Sequence, residues 1–185
     1  MRKALRYASS FIVPVVVCIG LPLLLLRPGS AGAGASRAIS PGTAVPGAIL
    51  IALGLVLSIL SFRLIMRVGE GTIMPWDPTR KLVIVGLYRF VRNPMILSIL
   101  IVLVGEALVF GSEDLSILAI VFFLVNTLYF RLSEEPGLEK RFGEEYLEYK
   151  RNVPRWIPRV SPWAPRPSAG NAEPRDPQST RKRRA

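Results

Sequence analysis

Hydrophobic and polar positions fall into long blocks along this chain. Four apolar runs, Leu5–Leu26, Ala44–Met66, Pro94–Phe110 and Leu115–Arg131, alternate with connections that hold charge, glycine and proline. A hydrocarbon core of about 30 Å takes about 20 helical residues. Each run is therefore read as a membrane span. The last two are short, which predicts a thin, tilted bundle or helices that end in the interface. Pro14 and Pro22 are placed to kink the first. The expected fold is all-α: a polytopic membrane helix bundle of about four spans with a cytosolic C-terminal amphipathic helix. Its divisions are N-terminal membrane helices over 1–66, a core over 67–159 and a disordered basic tail over 160–185.

Charge gives the orientation. Arg2, Lys3 and Arg6 precede the first run, and Arg67, Arg80, Lys81, Arg89 and Arg92 lie in the second connection. The densest basic set runs from Lys140 to Arg184, whereas the first connection has only Arg27 and Arg37 and the third only Glu113 and Asp114. The positive-inside rule then puts both termini and the Arg67–Arg92 segment in the cytoplasm, as in a prokaryotic inner membrane. The N-terminus also has the outline of a signal peptide, a basic start and apolar stretch followed by SAGAGAS. The stretch is long for one, and the charges alternate properly when it is retained.

Composition supports the membrane reading. The 185-residue chain is half hydrophobic, with mean hydropathy +0.38 and net charge +11. Its basic residues flank apolar runs, so the lipid bilayer is the expected partner and nucleic acid is not. The chain has no histidine, which removes His-based acid–base chemistry and the usual zinc sites. Its one cysteine, Cys18, lies in an apolar run and reads as a small buried hydrophobe.

Two segments carry polar groups where spans meet the cytoplasm. GLYRFVRNP, Gly86 to Pro94, opens the third run. Asn93 and Pro94 suit an N-cap and first helical turn, and a capped helix start is also a place for an anion. The second segment, EEPGLEKRFGEEYLEYKRNVPRWIP, spans Glu134 to Pro158. Its Glu134-Glu135-Pro136 ends the fourth run and begins another helix. The two acids read either as favourable charges at a helix start or as a site for a cationic or hydroxyl-rich ligand. Leu138, Phe142, Tyr146 and Tyr149 follow at near-helical spacing and predict one amphipathic helix, ended by the prolines of VPRWIP, with Trp156 as an interfacial anchor. Glu106 in the third run is a candidate as an intramembrane acid, although it lies near the outer end. Gly69 and Gly71 form a GxG too short to identify a phosphate loop. Leu82–Val85 either packs under a ligand or docks the loop, and Tyr88 either stacks on a planar ligand or anchors the loop.

The GxYxxxRxP and EExxLxxxFGxxYxxYxxxVP elements resemble the isoprenylcysteine carboxyl methyltransferases and their phospholipid methyltransferase relatives, over about Gly69 to Pro158. The resemblance implies an integral-membrane methyltransferase using S-adenosylmethionine, which methylates a lipophilic small molecule or a lipidated substrate at a carboxyl group. By motif position it implies cofactor contacts from Arg80, Lys81, Leu82, Val83, Tyr88, Asn93, Pro94, Met95, Ile96, Glu134 and Glu135. It offers Arg131 for substrate, one residue out of register, because Phe130 stands where the eukaryotic members have a substrate-contacting arginine. Those members also have His where Asn93 stands and Tyr where Ile96 stands.

Other readings remain. One is methylation of a phospholipid amine, which must first lose a proton, with only Glu134 and Glu135 available as bases. Another is an NADPH-dependent membrane reductase resembling the sterol reductases, with Arg80 and Lys81 on a phosphate. A third is a non-enzymatic adaptor that works through its basic tail.

Overall fold

The computed structural model describes residues 14–27, 40–68 and 82–165. The basic N-terminus, SAGAGAS, Gly69–Gly71, Arg80, Lys81 and the RKRRA end lie outside the described residues. The described chain is helical: α1 (Val16–Leu25), α2 (Pro41–Val68), α3 (Pro94–Phe110), α4 (Glu113–Phe142) and α5 (Glu144–Asn152). A 3₁₀ turn at Gly86–Arg89 leads into α3.

At about 1.5 Å per residue, α2 and α4 are long enough to cross a bilayer. Both are apolar, with only 17% of each apolar window buried. Ile49, Val56, Ile59, Ile117, Ile120, Leu124, Val125 and Leu128 are all exposed. Aliphatic surface of this extent needs a non-aqueous surrounding, because it is unfavourable in water at about 25 cal/mol per Å². Lipid supplies one.

The shorter helix α3 is the centre of the bundle, packed against α2, α4 and α1. Its seam with α2 is built from small residues. Gly47, Ile51, Gly54, Ser58, Ser61 and Ile65 recur at alternating four- and three-residue spacing, opposite Val109, Gly105, Val102, Ser98 and Met95. A Cβ on Gly47 would lie 2.7 Å from the Gly105 carbonyl oxygen, and one on Gly54 would lie 2.6 Å from Val102 Cγ2. Only glycine permits such backbone approach, the usual basis of helix association in lipid. Ser98 Oγ donates to the Met95 carbonyl at 2.5 Å, so Ser58 Oγ is the donor in the 2.7 Å bond between the two hydroxyls.

Two π-turns each stand just before a proline. Val16–Gly20 precedes Pro22, and Phe130–Glu134 precedes Pro136. A proline ring clashes with the carbonyl four residues back, and a widened turn relieves the clash without ending the helix. Glu134-Glu135-Pro136 is accordingly not a break between two helices: α4 runs through it to Phe142. About 20 of its 30 residues suffice to fill a hydrocarbon core, which leaves Glu134 and the rest of α4 beyond one end of that apolar stretch.

The break comes instead at Gly143, with φ 55° and ψ −130°, a region open in practice only to glycine. The expected single helix from Leu138 is thus two, and the bend folds α5 back on the bundle. Tyr146, Tyr149 and Val153 form a buried cluster with Leu82, Ile84, Leu138, Phe142 and Trp163. Ordered packing also reaches past the expected boundary at residue 160. Trp163 donates its backbone N–H to Arg89 and accepts from Arg89 Nε at 2.6 Å.

Candidate active site at one end of the helix bundle

Three stretches far apart in sequence meet at the end of the bundle where α3 begins. The loop Leu82–Asn93 is held from behind by the C-terminal segment, through Arg92 N–H to Pro154 O, Arg159 N–H to Phe90 O and Trp163 N–H to Arg89 O, each at 2.9 Å. Tyr149 donates to the Tyr88 carbonyl at 2.7 Å, and burial raises its phenol pKa, so it stays a donor. Tyr88 is buried against Ile65, Val83 and Met95. Leu82 and Ile84 pack against the Tyr146, Tyr149 and Val153 cluster of α5 and the residue after it.

The acidic pair divides. Glu135 is 6% exposed and surrounded by cations. Its Oε1 accepts from Arg92 Nη1 and Arg155 Nε, both at 2.9 Å, and also from Arg155 Nη2. Lys150 Nζ lies 3.1 Å from Oε2 and pairs with Glu139 as well. Burial alone would raise the Glu135 pKa, but the Lys150 hydrogen bond and the Arg92 and Arg155 charges outweigh it and hold the carboxyl below its usual range.

Glu134 differs. Among the described residues no hydrogen bond or ion pair falls on it. Burial, with the adjacent Glu135 charge, pushes its carboxyl up to about 7 against the opposing pull of Arg155. Asn93 is at the N-cap position of α3, but its side chain makes no capping bond, so the capping expectation is not met and the amide has no hydrogen bond among the described residues. Arg92 Nε is buried without a partner among the described residues. Pro94 and Met95 are buried beneath this group, and Ile96 packs toward Ile99 and Leu103. Arg131 is exposed on the π-turn.

Sequence reasoning passed over Arg92, Lys150 and Arg155 as site residues. The signal that could have found them is their place in the two motif segments: Arg92 is the arginine of GxYxxxRxP, and Lys150 and Arg155 lie in the segment Glu134 to Pro158. Glu106 is half-buried, with Oε2 buried and unpartnered among the described residues. It lies toward the C-terminal end of α3, away from this cluster.

The sequence pattern of the phospholipid methyltransferase family matches residues 43–145, more than half of the chain. The chain belongs to that family. The match runs from the start of α2 to the first turn of α5, and so takes in the loop, both acids and the α2–α3 seam. An uncharacterised protein of Haemophilus influenzae is 38% identical over 63 residues, 34% of this chain and all of that relative. No solved structure gives a significant match. This phospholipid methyltransferase family is one of membrane methyltransferases, in keeping with the two membrane-length helices.

Proposed function

We propose that this chain is an S-adenosylmethionine-dependent methyltransferase of the inner membrane, acting on a lipid-like acceptor that enters from the bilayer. The observation that carries the reading is Glu134, a half-buried carboxylate, beside the Asn93 amide and the Arg92 Nε–H, each without a hydrogen-bond partner among the described residues. That set suits the ammonium, carboxylate and hydroxyl groups of S-adenosylmethionine, with Tyr88, Pro94 and Met95 giving an apolar floor. Arg80 and Lys81 are read as further contacts by motif position alone. When bound, the cofactor supplies a methyl group activated on a sulfonium sulfur. The chain positions the acceptor and excludes water, which favours reaction chiefly through orientation.

An amine acceptor suits this geometry best. An amine must lose a proton before it attacks, and a carboxylate titrating near 7 takes it near neutrality. The cations of the cluster are occupied by Glu135 and leave little to hold a substrate carboxylate. Methylation of a carboxyl group is the second reading. It is favoured by Arg131, which is exposed close to Glu134 and has no ion pair among the described residues.

Calorimetry on detergent-purified protein tests the class, with S-adenosylmethionine and NADPH in parallel. Saturable binding of S-adenosylmethionine, weakened by Glu134→Ala, is expected. Binding of NADPH alone, or of neither, overturns the proposal. Lipid extracts from cells with and without the gene then separate the acceptors: methylated phosphatidylethanolamine supports the amine reading, and a new methyl ester the carboxyl reading.

A further inference from the structure

The cations around Glu135 come from three separate elements. Arg92 belongs to the loop before α3, Lys150 to α5, and Arg155 to the segment after α5. Arg155 also donates to the Thr127 carbonyl at 3.5 Å, which fastens it to α4. Lys150 and Arg155 lie outside the family-matched residues 43–145, so that match does not imply the cluster.

Neighbouring Glu134 sits in the same field. The charged and titratable groups that act on it are Glu135 on its own helix, Arg155 on the C-terminal segment and Tyr88 on the loop. Arg155 already acts on Glu134 electrostatically, and without Glu135 it would be released to pair with it. A Glu134 captured in that ion pair would lose both its proton affinity and its freedom to meet a ligand.

We propose that Glu135 is a positioning residue: by drawing Arg92, Lys150 and Arg155 onto one buried carboxylate, it fixes the loop and C-terminal segment against α4 and keeps those cations off Glu134. The proposal rests on the reading of Glu134 as a site residue. It assigns different work to the two acids of the pair, one for the ligand and one for the frame.

The test uses the full chain with Glu135→Gln and Lys150→Met. Glu135→Gln releases cations toward Glu134, so the acid limb of the activity profile moves to lower pH by roughly one unit. The KM for S-adenosylmethionine is expected to rise about tenfold, more than kcat falls. Lys150→Met uncovers part of the Glu135 charge and moves the acid limb the other way, to higher pH. Loss of the Glu135 charge lowers the limb by itself, so Lys150→Met, in which that charge stays, is the deciding variant: less folded protein with the limb unmoved there overturns the proposal. Should Glu135→Gln fail to fold, Lys150→Met decides alone, because its side chain is only part-buried. An infrared titration of the Glu134 carboxyl gives a ligand-free readout. Opposite shifts in the two variants uphold the positioning role even if wild type binds no S-adenosylmethionine, which would sink the proposed function alone.

Discussion

Burial and the Glu135 charge raise Glu134 to about 7, and this has a cost in stability. Unfolded, the group ionises near 4.5; folded, near 7. Between those values the folded state holds more protons, so stability falls as pH rises through the window and the full penalty stands above it. Glu134→Gln removes the titration. Its melting temperature in detergent should exceed wild type at pH 8, by the equivalent of about 1–3 kcal/mol, and match it at pH 5. Activity should fall at both. An active site that stabilises when its key acid is neutralised fits the usual opposition of function and stability; equal melting at pH 8 would show that Glu134 is solvated. The adjacent acids were legible in the sequence as a pair, but not their division of labour. That division depends on Arg92, Lys150 and Arg155, which only the folded chain brings to one carboxylate.

The element that sequence reasoning described least well is the α2–α3 seam. Both helices are apolar all round, so hydropathy marks them as spans and says nothing of which face meets which. The seam is written instead in small residues, Gly47, Gly54, Ser58, Ser61, Ser98 and Gly105, whose spacing was readable but was not read. Gly54→Ala puts a Cβ 2.6 Å from Val102 Cγ2 and 2.8 Å from the Ser98 carbonyl oxygen. It should destabilise the bundle by about 1–3 kcal/mol in a detergent unfolding titration. Ser58→Ala loses one interhelical hydrogen bond and should cost about 0.6 kcal/mol. Val56→Ala, on the lipid-facing side of the same helix, should change little. An equal effect from all three would mean that α2 does not pack on α3 by this face. The π-turns are the converse case. The prolines that cause them were read as a kink in the first span and a helix start after the fourth. The widened turn shows that a membrane helix can absorb a proline and carry on, which places Glu134 and Glu135 on a continuous α4.

Across the whole molecule, the site depends on the chain returning to itself. The loop before α3 has only the 3₁₀ turn at Gly86–Arg89 of its own; α5 and the stretch to Trp163 hold it from behind. A chain cut after Pro165 keeps every contact described for the site and should retain cofactor binding. A chain cut after Asn152 loses Arg155, Pro154 and Trp163, and should lose binding while α2 and α3 stay inserted. If the shorter chain binds as well as the longer, the C-terminal segment is no part of the frame. If loss of residues 166–185 alone abolishes function, the adaptor reading gains instead. The same architecture, with the charge pattern, predicts a topology. Glu113 opens α4 on one side of the membrane, and Glu144 lies past its far end. With Cys18, the single cysteine, replaced by alanine, a cysteine at Glu113 should react with an impermeant maleimide in intact spheroplasts. One at Glu144 should react only after permeabilisation. The reverse pattern would put the Glu134 cluster outside the cell, away from intracellular S-adenosylmethionine, and the charge-based orientation and the proposed chemistry would then fail together.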